Sequence, residues 1–328
     1  MADLSLTIAA TPGPATAALL AGQVSIPGIA AEITAMHPSE LFWRQLHHAE
    51  FDVSELSLAS LLIAISKGDQ TWTPLPVFTS RRFFHTEIMV RRDAGIEEPA
   101  DLAGKCVGVP EYQQTAAVWA RMALLREFGV GAADVTWFME RSAEKSHGSA
   151  TGFTPPPGVQ ISTIPPDTSI GEMLEAGELD AALHYIAASN AIDRSKYSHD
   201  SVPGTRLLFA DPAAEARRYY AKTGLLPMNH CVVIRTALAA KHDYLAHVIA
   251  GAFTRSKEMA ISAARRLYAP ALAKGLAEPA LFDMDPLPFG LAAQELRSVQ
   301  ALADHLANEG LTGRPLPAAA IFARPDAV

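Results

Sequence analysis

Phe51-Asp-Val-Ser-Glu-Leu-Ser-Leu-Ala-Ser60 is the stretch on which the fold turns. It begins as a short strand and runs straight into a helix whose first residues carry hydroxyls. Ser57 and Ser60 stand where such a helix starts, and a serine oxygen there accepts from backbone N–H groups that have no helical partner. A strand feeding directly into a helix is the elementary step of an α/β protein.

The same alternation extends outward on both sides. Upstream, Leu4 to Ala10 reads as a strand, followed by the Pro/Gly stretch Thr11 to Pro14 and a helix of small residues. Ala30 to Thr34 is extended and leads to a helix from about Ser39 to His48. Downstream, Leu75 to Phe78 and Thr86 to Val90 read as strands around the basic turn Ser80-Arg-Arg-Phe-Phe-His85. Gly104 marks a turn into the strand Cys106-Val-Gly-Val109. Glu111-Tyr-Gln-Gln-Thr115 then opens a helix in which Val118, Met122 and Leu125 recur at helical spacing, with Gly129 as its stop. Ser169-Ile-Gly-Glu172 is a capping box, its helix ends at Gly177, and Leu179 to His184 reads as a strand. Met228 to Arg235 is another strand, and two long helices complete the chain. One carries Leu245, Val248, Ile249, Ala252 and Phe253 on one face; the other carries Val299, Leu302, Ala303 and Leu306 and stops at Gly310. Residues 141–158, rich in Ser, Gly, Pro and charge, read as a mobile loop. The pattern predicts an α/β fold with mainly parallel sheets and helices on both faces.

Bulk composition narrows the function. At 328 residues, half of them hydrophobic, the chain is long enough for two domains. Its net charge is −8, from 27 basic against 35 acidic residues. No segment gathers Lys and Arg densely enough to follow a phosphate backbone, so nucleic acid is not an expected partner. No run approaches the length of a membrane span. The start of the sequence has no secretory pattern, and Cys106 and Cys231 each sit in an apolar strand, as reduced buried thiols would. A cytoplasmic location is expected. A homo-oligomer is left open.

In sheets of this type ligands bind beyond the carboxyl ends of the strands. Three strand-to-helix junctions qualify: Glu55 to Ser60, Pro110 to Thr115 and His184 to Ser189. Phosphate loops, nucleophile elbows and zinc-protease helices are absent from the sequence. No local spacing argues for a metal, although a divalent ion gathered from distant segments stays open; no organic cofactor is expected. Arg81, Arg82 and His85 share one turn, where guanidinium groups can fork onto a carboxylate and an imidazole can move a proton near neutral pH; a solvated surface turn is the plainer alternative. Glu111, Tyr112, Gln113 and Thr115 lie at a helix start, where free N–H groups suit an anion, and ordinary capping accounts for them equally well. His230 in its apolar strand and His184 at a strand end are each either a satisfied buried histidine or a general acid or base.

Taken together, several of these segments resemble the 4,5-dihydroxyphthalate decarboxylase family, within the type II periplasmic-binding-protein superfamily. The segments are Phe51 to Leu58, Pro76-Val-Phe-Thr-Ser-Arg81, Gly104-Lys-Cys-Val-Gly-Val-Pro-Glu-Tyr-Gln113 and Thr115-Ala-Ala-Val-Trp119. Met173-Leu-Glu-Ala-Gly-Glu-Leu-Asp-Ala181, Tyr220-Ala-Lys-Thr-Gly224 and His230-Cys-Val-Val-Ile-Arg235 complete the set. The resemblance implies two α/β lobes with a ligand cleft between them. Lobe 1 would be discontinuous, residues 1–90 and 228–328, and lobe 2 would be residues 91–227. It also implies decarboxylation of a hydroxylated aromatic acid without an organic cofactor. His85 and His230 would handle protons, with Glu111 a third candidate; Ser57, Arg81, Arg82, Tyr112, Gln113, Thr115 and His184 would hold the small aromatic acid.

The chain also departs from that family's pattern. Phe84 stands where relatives carry Arg before the motif histidine. Ile186 follows a strand after which relatives carry Arg, and Glu295 falls where a late Asn-Arg pair is expected. Losing a charge-assisted bond to a carboxylate costs ~1.5–3 kcal/mol, so a ligand less negative than a phthalate dianion is expected. The competing reading is a solute-binding protein whose lobes close on a small carboxylate without breaking a bond.

Overall fold

The structure is a computed structural model and describes residues 4–183, 190–197, 201–278 and 285–322. His184, Ile186 and the junction to Ser189 lie outside the described residues.

The described strands, in chain order, are β1 (Leu4–Ala10), β2 (Ile29–Ala35), β3 (Val53–Ser57), β4 (Trp72–Pro74), β5 (Ser80–Arg81) and β6 (Met89–Arg91). They continue as β7 (Cys106–Val109), β8 (Thr136–Met139), β9 (Gln160–Thr163), β10 (Ala181–Ala182), β11 (Thr205–Leu207) and β12 (Met228–Arg235). Two sheets result, one in each lobe. The first has the order β2-β1-β3-β12-β4, with β5 also on β12; the second runs β11-β6-β10-β7-β8-β9.

The second sheet is mainly parallel, as expected, whereas the first is mixed, with more antiparallel than parallel pairs. β1 pairs parallel with β2 and β3, and β7 pairs parallel with β8 and β10, as does β8 with β9. β12 is antiparallel to β3, β4 and β5, and β6 is antiparallel to β10 and β11. β6 and β12 lie at the two places where the chain passes between the sheets. A strand entering that way runs against the βαβ direction, so the crossovers supply the antiparallel pairs.

Phe51 to Ser60 folds as read: β3 ends at Ser57, which is also the N-cap of the helix Leu58–Ser66. This strand is fully buried, as befits one between β1 and β12. Leu75 to Phe78 is not a regular strand. Pro74 and Pro76 cannot donate to a ladder, so β4 stops at Pro74 and only irregular bonds continue, Leu75 N–H to Val232 O and Val232 N–H to Val77 O. Thr86 to Val90 divides into a 3-10 turn, Phe84–Glu87, and β6.

The segment expected as a loop, residues 141–158, contains one regular element. A short helix, His147–Thr151, is capped by the Ser146 hydroxyl and ends at Gly152 with φ +70°. His147 is buried in the molecule, which the polar composition of the segment does not reveal. The main core joins both lobes, running from Leu56 and Leu61 through Phe78 and Tyr112 to Trp119 and Trp137. A second cluster lies under the outer face of the first sheet, around Ile8, Val53, Ile249 and Phe253.

Candidate active site

A cavity of about 440 Å³ opens between the lobes. Its walls come from strand ends. Thr11 to Thr16 follow β1, His37 to Ser39 follow β2, Ser57 closes β3, Gln114 follows β7 and Arg141 follows β8. This is the crevice beyond the carboxyl ends of the strands, and it has helix starts on both sides. The helix Pro38–His48 begins here, as do Leu58–Ser66 and Thr115–Phe128. Among the described lining residues none is acidic, whereas two are arginines, Arg82 and Arg141, and three are histidines, His37, His147 and His230. Such a wall attracts an anion.

His230 is the best-organised imidazole on this wall. β12 places it opposite Ser57 of β3. Its Nδ1 lies 3.2 Å from Glu55 Oε2, and its Nε2 lies 2.9 Å from the side-chain nitrogen of Asn229. Phe42 packs edge-on against the ring at 4.7 Å. Glu55 is wholly buried and takes three further donors: Thr11 N–H at 2.8 Å, Thr11 Oγ1 at 2.9 Å and Thr79 Oγ1 at 2.5 Å. Sequence reasoning placed Glu55 only at the edge of a junction. The available signal was an acid in the middle of an otherwise apolar and hydroxyl strand, which must find partners once buried.

Arg141 anchors the opposite wall. Its Nε donates to Asp193 at 2.7 Å, its Nη2 to Ser39 Oγ at 2.8 Å, and its Nη1 approaches Glu111 at 3.5 Å. Burial works against the charge of Asp193, but Arg141 and hydrogen bonds from Ser39 and Asn190 hold its carboxyl at about 2. His147 Nε2 donates to Ser39 O at 2.9 Å and its Nδ1 accepts from Arg141. Burial, reinforced by the Arg141 charge, lowers this imidazole to about 3, so it is neutral. His37 caps the helix Pro38–His48 by accepting Ser39 N–H on Nδ1, 3.3 Å away. That contact leaves the His37 proton on Nε2.

The other sequence candidates are placed as follows. Ser57 lines the cavity and shares a 2.7 Å hydrogen bond with Thr115, which also accepts from Ala59 N–H, so these two residues join the lobes. Arg82 lines the cavity while its Nε donates to Glu87 at 2.7 Å. Arg81 is not in the lining. It is buried, donates to Pro288 O and lies 3.5 Å from Glu295, which is buried with it. His85 lies off the lining too. Its Nε2 meets Glu215 at 3.0 Å beneath Tyr219 and Phe209, and burial pulls its pKa down against that carboxylate's opposing pull. Glu111 is behind the wall, bonded to His147 N–H at 2.6 Å and to Gln113; burial pushes its carboxyl up, with Arg141 pulling back. Tyr112 packs under Arg121, whose guanidinium carbon is 3.7 Å from the ring centre, and burial raises its phenol to about 12. Three lining groups absent from the sequence candidates matter: Arg141, His147 and Gln114, the last with a buried carbonyl oxygen that has no partner among the described residues. The first two sat in a stretch whose composition reads as loop.

Among the described residues no group of three or more His, Cys, Asp or Glu converges as a metal site, and no helix is long and apolar enough to cross a membrane.

Comparison with known proteins adds to this geometry. No protein-family model matches the chain. Among solved structures it is similar to the periplasmic aliphatic sulphonate binding protein SsuA from Escherichia coli, with a TM-score of 0.55, 15% identity and 97% of each chain covered. It is also similar to the desulfurization enzyme DSZB, with a TM-score of 0.50, 16% identity, and 97% and 96% of the two chains covered. At such identities the likeness establishes the fold, a two-lobed periplasmic-binding-protein type. Among curated proteins it is 36% identical to 4,5-dihydroxyphthalate decarboxylase from Pseudomonas putida, over 67% of this chain and 83% of that one. The likeness to 4,5-dihydroxyphthalate decarboxylase from Comamonas testosteroni is 33% over 98% of this chain and 97% of that one. Identity of 33% kept over 98% of the chain makes it a member of the 4,5-dihydroxyphthalate decarboxylase family.

Proposed function

We propose that the protein is a carboxy-lyase that removes carbon dioxide from a hydroxylated aromatic carboxylic acid in the interlobe cavity. The observation that carries this is the wall itself: an acid-free lining, two arginines, and a paired imidazole, His230, on the opposite side from Arg141.

The chemistry needs few groups. A hydroxyl para to the carboxylate loses its proton to His230. The oxygen's electrons raise density at the ring carbon that bears the carboxylate, and that carbon takes a proton. The bond to the carboxylate then breaks, its electron pair restores the aromatic ring, and carbon dioxide leaves. Overall, one proton replaces one carbon dioxide. His37, on an exposed part of the same wall, can exchange with water and return the proton. Arg141, Ser57 and the helix starts hold the carboxylate, and the Gln114 carbonyl can accept a hydroxyl. Arg82 closes the mouth. Arg81, Tyr112, Gln113 and Thr115 support this wall from behind, and His85 and Glu111 remain candidates only through such support.

The resident ion pairs favour a small negative charge on the ligand. Arg81 is met by Glu295, Arg82 by Glu87, and Arg141 by Asp193 and Glu111. A monocarboxylate therefore suits the cavity better than a dianion. We place the division of lobe 1 from lobe 2 at about residues 90 and 228, and the protein in the cytoplasm, which its two free thiols favour.

A panel of hydroxylated benzoates and phthalates tests the reading, scored for thermal stabilisation and for carbon dioxide release. Release from at least one compound at enzymatic rates is expected. Stabilisation without release by any compound overturns it in favour of a binding protein.

A further inference from the structure

We propose that Glu55 is the positioning residue of this site, holding His230 with its proton on Nδ1 so that a bare Nε2 faces the cavity. The proposal rests on the reading of His230 as the group that takes the phenolic proton.

The geometry is directional. Thr11 N–H is a backbone donor that cannot rotate, and it points at Glu55 Oε1 from 2.8 Å. The carboxylate is thereby fixed with Oε2 toward Thr79 and His230. A carboxylate oxygen only accepts, so the Nδ1 that faces it at 3.2 Å carries the hydrogen. The second contact agrees. The Asn229 side chain presents its amide nitrogen, a donor, to Nε2 at 2.9 Å, which requires a lone pair there. Both neighbours thus select the same tautomer. Glu55 is wholly buried and is not itself a lining residue of the cavity, so it acts through the ring.

This arrangement has a chemical consequence. When a phenol enters, its O–H takes the place of the Asn229 N–H at Nε2. The O–H bond breaks, the proton joins the Nε2 lone pair, and the electron pair stays on the phenolate oxygen. The new imidazolium then faces a buried carboxylate, which stabilises its charge with Glu55 already in place.

The isosteric variant Glu55→Gln is a sharp probe. Thr11 N–H keeps the amide oxygen at the Oε1 position, so the amide nitrogen must occupy the Oε2 position. There it donates to Nδ1 and drives the His230 proton to Nε2, inverting the tautomer at constant shape. Nitrogen-15 NMR of histidine-labelled protein reads this directly. The native protein is expected to show Nδ1 protonated and Nε2 bare, and E55Q the reverse. With 4,5-dihydroxyphthalate and 3,4-dihydroxybenzoate as assayed compounds, E55Q should lose at least about a hundredfold in kcat while KM moves less than about threefold. An Nε2–H tautomer in the native protein overturns the proposal even if no variant folds, and so does E55Q with native kcat. Full turnover by His230→Ala would instead sink the reading of His230, while the NMR result would still decide the role of Glu55.

Discussion

His230→Gln keeps the size and burial of the side chain but cannot hold a second proton. It is expected to lower kcat by about two to four orders of magnitude, read by carbon dioxide release, with an unchanged melting temperature as the control. Arg141 is a different kind of residue. Its loss removes the guanidinium that faces the buried Asp193 and Glu111, so Arg141→Ala should cost about 3–5 kcal/mol of stability, measured by urea unfolding. Legibility at this scale was uneven. His230 and Ser57 could be picked out because a polar group in an apolar strand or at a helix start is conspicuous. Arg141 and His147 could not, since a sequence shows their polar neighbours and not the helix Pro38–His48 that buries them. Arg81 and His85 drew attention as charges in a turn, yet each is answered inside the fold, by Glu295 and Glu215.

Elements carry the next two expectations. Gly108 in β7 has no room for a methyl: a Cβ there would lie 2.8 Å from Leu179 Cδ1 and 3.0 Å from Ile170 Cγ2. Gly108→Ala should therefore destabilise by about 1–3 kcal/mol through overpacking, seen as a lower melting temperature. The helix His147–Thr151 makes stability depend on pH. Unfolded, a histidine takes its proton near 6.5; folded, His147 stays neutral to about 3. Between those values the unfolded chain binds one more proton, so stability falls as pH falls, by about 1.4 kcal/mol per unit. Chemical denaturation from pH 6 to pH 4 should show this slope, and His147→Gln should flatten it. Element types were readable wherever hydrophobic period and caps agreed, as from Ser169 to Gly177 and from Thr115 to Gly129. They failed where Pro74 and Pro76 interrupt an apolar run, because period alone ignores the missing donors.

At the scale of the whole molecule, the lobes meet through many polar contacts, among them Ser57 with Thr115, Arg141 with Ser39, Arg121 with Glu309, Trp43 Nε1 with Glu144 O at 2.8 Å and His47 with Ser146 O at 2.9 Å. Trp43→Phe keeps the ring and removes one clasp, so KM should rise about threefold to tenfold with kcat nearly unchanged. Alternation of strands and helices announced two α/β sheets, but not which strands run backwards, because direction is set by how the chain crosses between lobes. One crossover has a further effect. β12 lies between β3 and β4, and it pairs Val53 with Ile234, about 180 residues further along the chain. On the ribosome the second sheet, from Met89 to Leu207, is therefore complete while the first still lacks its central strand. The lobe begun first closes last, and until Met228–Arg235 emerges the buried face of β3 needs shelter. A nascent chain halted before Met228 should thus resist protease in its middle and be cut near its start.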